Sequence, residues 1–119
     1  MFNDAHLNAL SRLMDASALR AQVHAGNIAN QNTPGYHAKA VAFEDAFREA
    51  LDAGESGDEV KPVVYEPRDT MEQIDGNDVS MNREVAEVAK NATMYDAYIQ
   101  MARGKIKLMN LAASTVTGG

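Results

Sequence analysis

Three histidines, His6, His24 and His37, are the side chains best suited to bind a metal or move a proton near neutral pH, and no two share the His-x-x-x-His spacing that aims both imidazoles from one helical face. His24 falls on an apolar helical stripe, where a histidine serves as a hydrogen-bonded core or interface residue rather than a ligand. The adjacent carboxylates Glu44-Asp45 and Asp58-Glu59 point in different directions and read as solvated surface, not as an acid–base pair. Ser11, Ser17, Ser56, Ser80 and Ser114 stand in no motif that would activate a hydroxyl. Cysteine is absent, which excludes disulfides, thiolate ligands and cysteine catalysis. Asn91-Ala92-Thr93 has the form of a glycosylation sequon but lies in mid-helix. The expectation is a protein that is not an enzyme, with no catalytic residue, metal or cofactor.

Asparagine is concentrated where the chain must change direction. The run Asn27-Ile28-Ala29-Asn30-Gln31-Asn32-Thr33-Pro34-Gly35-Tyr36 closes a long helical pattern. Pro34 has no N–H and drives Thr33 out of the α region, so a helix arriving from upstream stops at about Asn32. Pro34 and Gly35 fit the two central positions of a type II turn, Gly35 supplying the positive φ. The short amides of Asn27, Asn30 and Asn32 disfavour a helix interior and suit the orphan carbonyls at its end.

Long apolar stripes lie on both sides of this turn. Leu7, Leu10, Met14, Ser17, Ala21, His24 and Ile28 alternate spacings of three and four, an a/d repeat in which Ser17 and His24 are weak members. Met81, Val85, Val88, Ala92, Tyr95, Ile99, Ala102, Ile106, Met109, Ala113 and Val116 keep that spacing over five heptads. Ser80 fits the N-cap of this last helix, with Glu84 and Glu87 near its positive end and Arg103, Lys105 and Lys107 toward the negative one. Second stripes run alongside: Leu13, Ala16 and Val23 on the first helix, and Met94, Tyr98, Met101, Leu108 and Ala112 on the last, interrupted by Lys105. A helix apolar over so much of its circumference needs partners on several sides, and one hairpin supplies too few. Ala21, Ala92, Ala102 and Ala113 allow close approach, yet each buries far less than the roughly 1.5–3 kcal/mol of a leucine or isoleucine. Gly104 weakens the helix further, by about 1 kcal/mol relative to alanine.

These patterns predict an all-α chain, two long terminal helices in an antiparallel coiled-coil-like hairpin with an irregular, partly extended connector. Residues 1–32 form the first helix, 33–79 the turn, a short helix and the connector, and 80–116 the last helix, together one elongated domain. The interface is expected at Leu7, Leu10, Met14 and Ile28 with Val88, Tyr95, Ile99, Ile106 and Met109. In the connector, Phe43, Phe47, Ala50 and Leu51 give a short amphipathic helix stopped at Gly54; residues 54–59 are a flexible acidic loop, and Val60–Tyr65 is β-prone but interrupted by Pro62.

The net charge of −6 is unevenly spread: residues 31–80 carry −8, residues 81–119 carry +2, and the first thirty are neutral. Nucleic-acid binding would need a basic stripe with aromatic platforms, and none exists. No stretch approaches the roughly eighteen apolar residues of a membrane span. Met1-Phe2-Asn3-Asp4-Ala5-His6 offers neither a basic nor an apolar leader region, so no cleaved secretory signal is expected.

The run Asn27–Tyr36 resembles the signature near the N-terminus of bacterial flagellar axial proteins, the rod, hook and related subunits. A second stretch, 75–92 (Asp75-Gly76-Asn77-Asp78-Val79-Ser80-Met81-Asn82-Arg83-Glu84 and onward), resembles the start of the last helix in the B type of proximal-rod subunit. Other rod and hook subunits carry a Gln-Arg-Ala-Tyr-like run in that helix, where this chain has Ala92-Thr93-Met94-Tyr95-Asp96-Ala97-Tyr98. With Val41-Ala42-Phe43-Glu44 between them, the resemblance spans most of residues 1–113, and a connector this short has no room for the globular insertions of hook and distal-rod subunits. The resemblance implies a structural subunit that polymerises into the proximal rod of the flagellar basal body and transmits torque, exported to the periplasm by the flagellum's own type III apparatus. It implies as partners other copies of the chain, other proximal-rod subunits, the rod-base adaptor protein and the MS-ring protein. It also makes Phe43-x-x-x-Phe47 a candidate for engaging the export gate, against the alternative that both rings simply pack the short helix. Two other readings stand beside it, another flagellar axial subunit and a soluble coiled-coil adaptor or regulator.

Overall fold

The computed structural model describes residues 4–117; residues 1–3 of the predicted first helix lie outside them. Helix α1 (Ala5–Ala29) starts where Asp4 Oδ1 accepts a hydrogen bond from the Leu7 N–H at 3.0 Å, a side-chain N-cap. It ends three residues earlier than Pro34 alone requires. The Asn30 N–H bonds to the carbonyls of both Gly26 and Asn27, and the Asn30 side-chain amide also donates to Gly26 O at 2.8 Å, so the helix is closed from within at Asn30. The expected type II turn follows: Tyr36 N–H donates to Thr33 O at 3.2 Å across Pro34 and Gly35, and Gly35 has φ 74°.

The connector is more ordered than its sequence suggests. Strand β1 (Ala40–Ala42) pairs antiparallel with β2 (Val63–Tyr65), Val41 opposite Val64. Between them, α2 (Glu44–Asp52) ends in a Schellman motif, with Gly54 N–H on Leu51 O and Glu55 N–H on Ala50 O. Its Phe47 stacks on Phe43 with ring centroids 5.0 Å apart, and the pair packs against Ala9, Leu13, Ala16 and Val60. The second stripe of α1 thus finds its partner within the chain. The acidic loop after α2 is seated rather than loose: Gly57, at φ 80°, lies so close to the Phe47 ring that an added Cβ would stand 2.5 Å from Cε1.

Helix α3 (Met81–Thr117) starts at Ser80, whose Oγ accepts from the Arg83 N–H at 3.3 Å, and runs back antiparallel to α1. Ser17 meets Asn91, His24 meets Glu84 and Asp4 meets Lys105, numbers rising on one helix as they fall on the other. The fold is therefore two long helices joined by a short connector holding a two-stranded sheet, extended over 71 × 28 × 18 Å. Among the described residues, Tyr98 is the one apolar side chain of α3 that is buried.

Candidate functional site

The two stretches that carry the axial-protein resemblance fold onto each other through buried polar side chains. Asn27, fully buried, has all four hydrogen-bonding positions filled. Its Nδ2 donates to Lys39 O at 2.8 Å and to Glu84 Oε1 at 2.9 Å, while its Oδ1 accepts from the Lys39 N–H at 3.0 Å and the Tyr36 hydroxyl at 3.3 Å. The other oxygen of Glu84, Oε2, lies 2.7 Å from His24 Nδ1. One asparagine of the first stretch and one glutamate of the second thus hold α1, the residue before β1 and α3 together.

Asn77 completes the junction from the connector. Also fully buried, it sends Nδ2 to the carbonyls of Asn30 at 2.9 Å and Thr33 at 2.8 Å, and its Oδ1 takes the Val79 N–H. The orphan carbonyls after α1 are capped by a residue more than forty positions away, so the turn and the entry to α3 form as one unit. Backbone bonds from Gly35 N–H to Asp75 O and from Asp78 N–H to Tyr36 O close the same seam. Asp78 accepts from the Ala38 N–H at 2.6 Å and the Thr70 hydroxyl at 2.7 Å, with His37 Nδ1 at 3.3 Å. Burial pushes its carboxyl up, but these hydrogen bonds outweigh burial and hold it below the ordinary value. Glu44 follows the same logic: burial raises it, and the Arg20 guanidinium, which also donates to Val41 O at 3.1 Å, brings it below.

Polar contacts likewise set how α3 lies on α1. Ser17 Oγ donates to Asn91 Oδ1 at 2.8 Å and Asn91 Nδ2 donates back to Ser17 O at 2.9 Å; Lys105 reaches Asp4 at 3.4 Å. Glu84, Asn91, Tyr98 and Lys105, spaced by seven, form the row that faces α1. Of the apolar row one residue on, Val85, Ala92 and Ile106 are exposed, Val85 at 58% and Ile106 at 42%, and Ile99 is half-buried. The sequence stripe counted apolar side chains, whereas the row that faces α1 pairs through Glu84, Asn91 and Lys105 and buries Tyr98.

Of the residues expected at the interface, Leu7, Leu10, Met14, Ile28, Ile99 and Met109 are half-buried, while Val88, Tyr95 and Ile106 are exposed along one edge of the helix pair. A groove of about 500 Å³ opens at that edge, lined by Ala18, Ala21 and Ala25 of α1 and Ala92 of α3 together with Ile28, Val88 and Tyr95. In the turn, Asn27, Asn30, Thr33 and Tyr36 are joined by hydrogen bonds, whereas Asn32, Pro34 and Gly35 are exposed. Phe43 and Phe47 are buried in the α1–α2 cluster. Sequence reasoning quoted Asn77 and Asp78 only as part of a matching string and gave Glu84 a helix-dipole role, not a buried one. The signal for Asn77 and Asp78 was a pair of short polar side chains shortly before a helix start, residues that need partners whenever they are buried.

No family model matches the chain. Three curated proteins, each described as flagellar basal body rod protein FlgB, are similar to it over nearly their whole length. The one from Bacillus subtilis (strain 168) is 30% identical over 123 residues, covering 94% of this chain and 90% of that protein. The one from Escherichia coli (strain K12) is 28% identical over 131 residues, covering 93% and 95%. The one from Aquifex aeolicus (strain VF5) is 27% identical over 123 residues, covering 87% and 89%.

Proposed function

The chain belongs to the FlgB family of flagellar basal body rod proteins and is a structural subunit of the rod; from that premise we propose that its place is the proximal rod, the part of the axle that takes torque from the rotor ring. The carrying observation is that the likeness runs over about nine-tenths of both chains, with a connector too short for an inserted globular domain. The work is mechanical. A hairpin whose register is set by buried hydrogen bonds keeps its shape under load, and its outward apolar row is available to neighbours.

In this reading Leu7, Leu10, Met14, Ile28, Val88, Tyr95, Ile99, Ile106 and Met109 contribute to helix packing inside and between subunits. The neighbours are further copies, other proximal-rod subunits, the rod-base adaptor and the MS-ring protein. The chain reaches the periplasm through the flagellar type III apparatus. Phe43 and Phe47 are buried when α2 is docked on α1, so an export gate reads them only on a chain whose α1–α2 cluster is open.

Basal bodies extracted with detergent from motile cells test the reading. The chain is expected in them, and a strain lacking it is expected to be non-motile with rodless bases. Recovery of the chain solely from the soluble fraction would overturn the rod reading in favour of a coiled-coil adaptor.

A further inference from the structure

We infer that the groove between α1 and α3 receives the C-terminal end of α3 from a second copy of this chain, so that copies join head to tail. The inference rests on the rod-subunit reading and names the two surfaces that copies present to each other. The groove is lined by the exposed Ala18, Ala21, Ala25, Ala92, Val88 and Tyr95 above the buried Ser17 and His24. Four methyl side chains on two helices leave a trough into which the ridge of a third helix can sink. No aspartate, glutamate, lysine or arginine lines it.

The end of α3 has the matching properties. Past the Asp4–Lys105 pair it runs on with Leu108 65%, Leu111 60% and Val116 82% exposed. Residues 106–117 rise about 17 Å, and the groove follows α1 from Ser17 to Ile28, about the same length. Charge is complementary as well. No aspartate or glutamate follows Asp96, so the end carries Arg103 and Lys107 unopposed in sequence, whereas the exposed Asp15 and Asp96 lie within one helical turn of Ala18 and Ala92 at the groove. The end of α3 cannot fold back into its own groove, because α3 is one continuous helix whose earlier half lines the groove. Each copy therefore offers one groove and one helix end, a heterologous contact that closes into a ring or continues as a helical array.

The absence of cysteine makes the contact directly readable. Full-length chains bearing Ala21→Cys in the groove or Leu111→Cys on the helix end, one isotopically heavy, are mixed at high concentration and oxidised. Mixed dimers are expected to exceed those from a Lys61→Cys and Leu111→Cys pair on the order of tenfold, since docking raises the effective concentration of one thiol at the other. As a measurement free of substitutions, carbodiimide coupling of light and heavy wild-type chains is expected to join Lys107 of one copy to Asp15 or Asp96 of another. Mixed dimers no more abundant than the control, or Ala21→Cys chains that link chiefly to themselves, overturn the inference, as does carbodiimide coupling that yields no such intermolecular peptide. Wild-type basal bodies separate this from the parent reading. Chain present in them without these links overturns the groove contact alone, and chain absent from them overturns the rod reading.

Discussion

The two ends of the helix pair are held in opposite ways. At one, His24, Asn27, Asn77 and Glu84 are buried and hydrogen-bonded to one another and to backbone, across three elements far apart in sequence. At the other, beyond Lys105, α3 exposes Leu108, Leu111 and Val116. Buried polar groups have few geometries that satisfy them, so they choose a register and a rotation. Apolar side chains accept many partners, and here most of the row they form is exposed. On the proposed reading, specificity within the chain and adhesion between chains would fall to different residues of the same helix.

The largest effect is expected from breaking the specific end. Glu84→Ala leaves Asn27 Nδ2 and His24 Nδ1 short of their buried partner and is expected to cost about 3–5 kcal/mol, read as a lower urea midpoint of the purified chain. Asn77→Ala strips the caps from Asn30 O and Thr33 O and is expected to cost about 2 kcal/mol, because water reaches those carbonyls more easily once the turn loosens. A Glu84→Ala chain as stable as the wild type would show that the polar junction does not hold the register, and the contrast between the ends would fail.

Much of this fold could be read from the sequence, and the missing part has one cause. The two long helices, the stop before Pro34 and the positive φ of Gly35 follow from local rules, since periodicity, a missing N–H and an absent Cβ act within a few residues. Neither the docking of Asn77 on the end of α1 nor the choice of the Glu84, Asn91, Tyr98 and Lys105 row was legible, because both depend on partners 44 to 101 residues distant. A heptad count ranks rows by apolar content, and the row that faces α1 is mostly polar. Hydrogen exchange sharpens the point. The stripes alone predict fast exchange at both ends of the isolated chain, whereas the structure predicts slow exchange at residues 24–38 and 77–84 and fast exchange at 106–117. Uniform fast exchange of all three stretches would mean that the junction forms only on assembly.

Acid should weaken the junction before neutral pH does. Asp78 and Glu44 titrate below their ordinary values of 3.8 and 4.5 in the folded chain, so the unfolded chain takes up protons first as pH falls. Their contribution is complete above those ordinary values and is lost as the pH drops through the lower folded ones. The urea midpoint is therefore expected to hold from neutral pH to about 5 and to fall below about 4, with part of that fall removed in an Asp78→Asn chain. A midpoint that rises below about pH 4 would reverse the sign and exclude these carboxylates as the cause.

The smallest change in the isolated chain should carry the largest consequence in the cell. Ile106 is 42% exposed on the outward row, so Ile106→Asp is expected to shift the stability of the purified chain by only about 0.5 kcal/mol or less. In an assembled rod the same carboxylate would be sealed among apolar side chains of a neighbouring subunit, at a cost of several kcal/mol. Cells carrying Ile106→Asp at wild-type protein levels are therefore expected to be non-motile and to yield few rods, while Gln100→Asp, an exposed polar position off this row, leaves swimming largely intact. The pair of measurements, urea midpoint and basal-body count, isolates assembly from folding, which neither does alone. Normal rods from Ile106→Asp together with failed rods from Gln100→Asp would place the adhesive face on another side of α3, and the division of labour between its two rows would have to be redrawn.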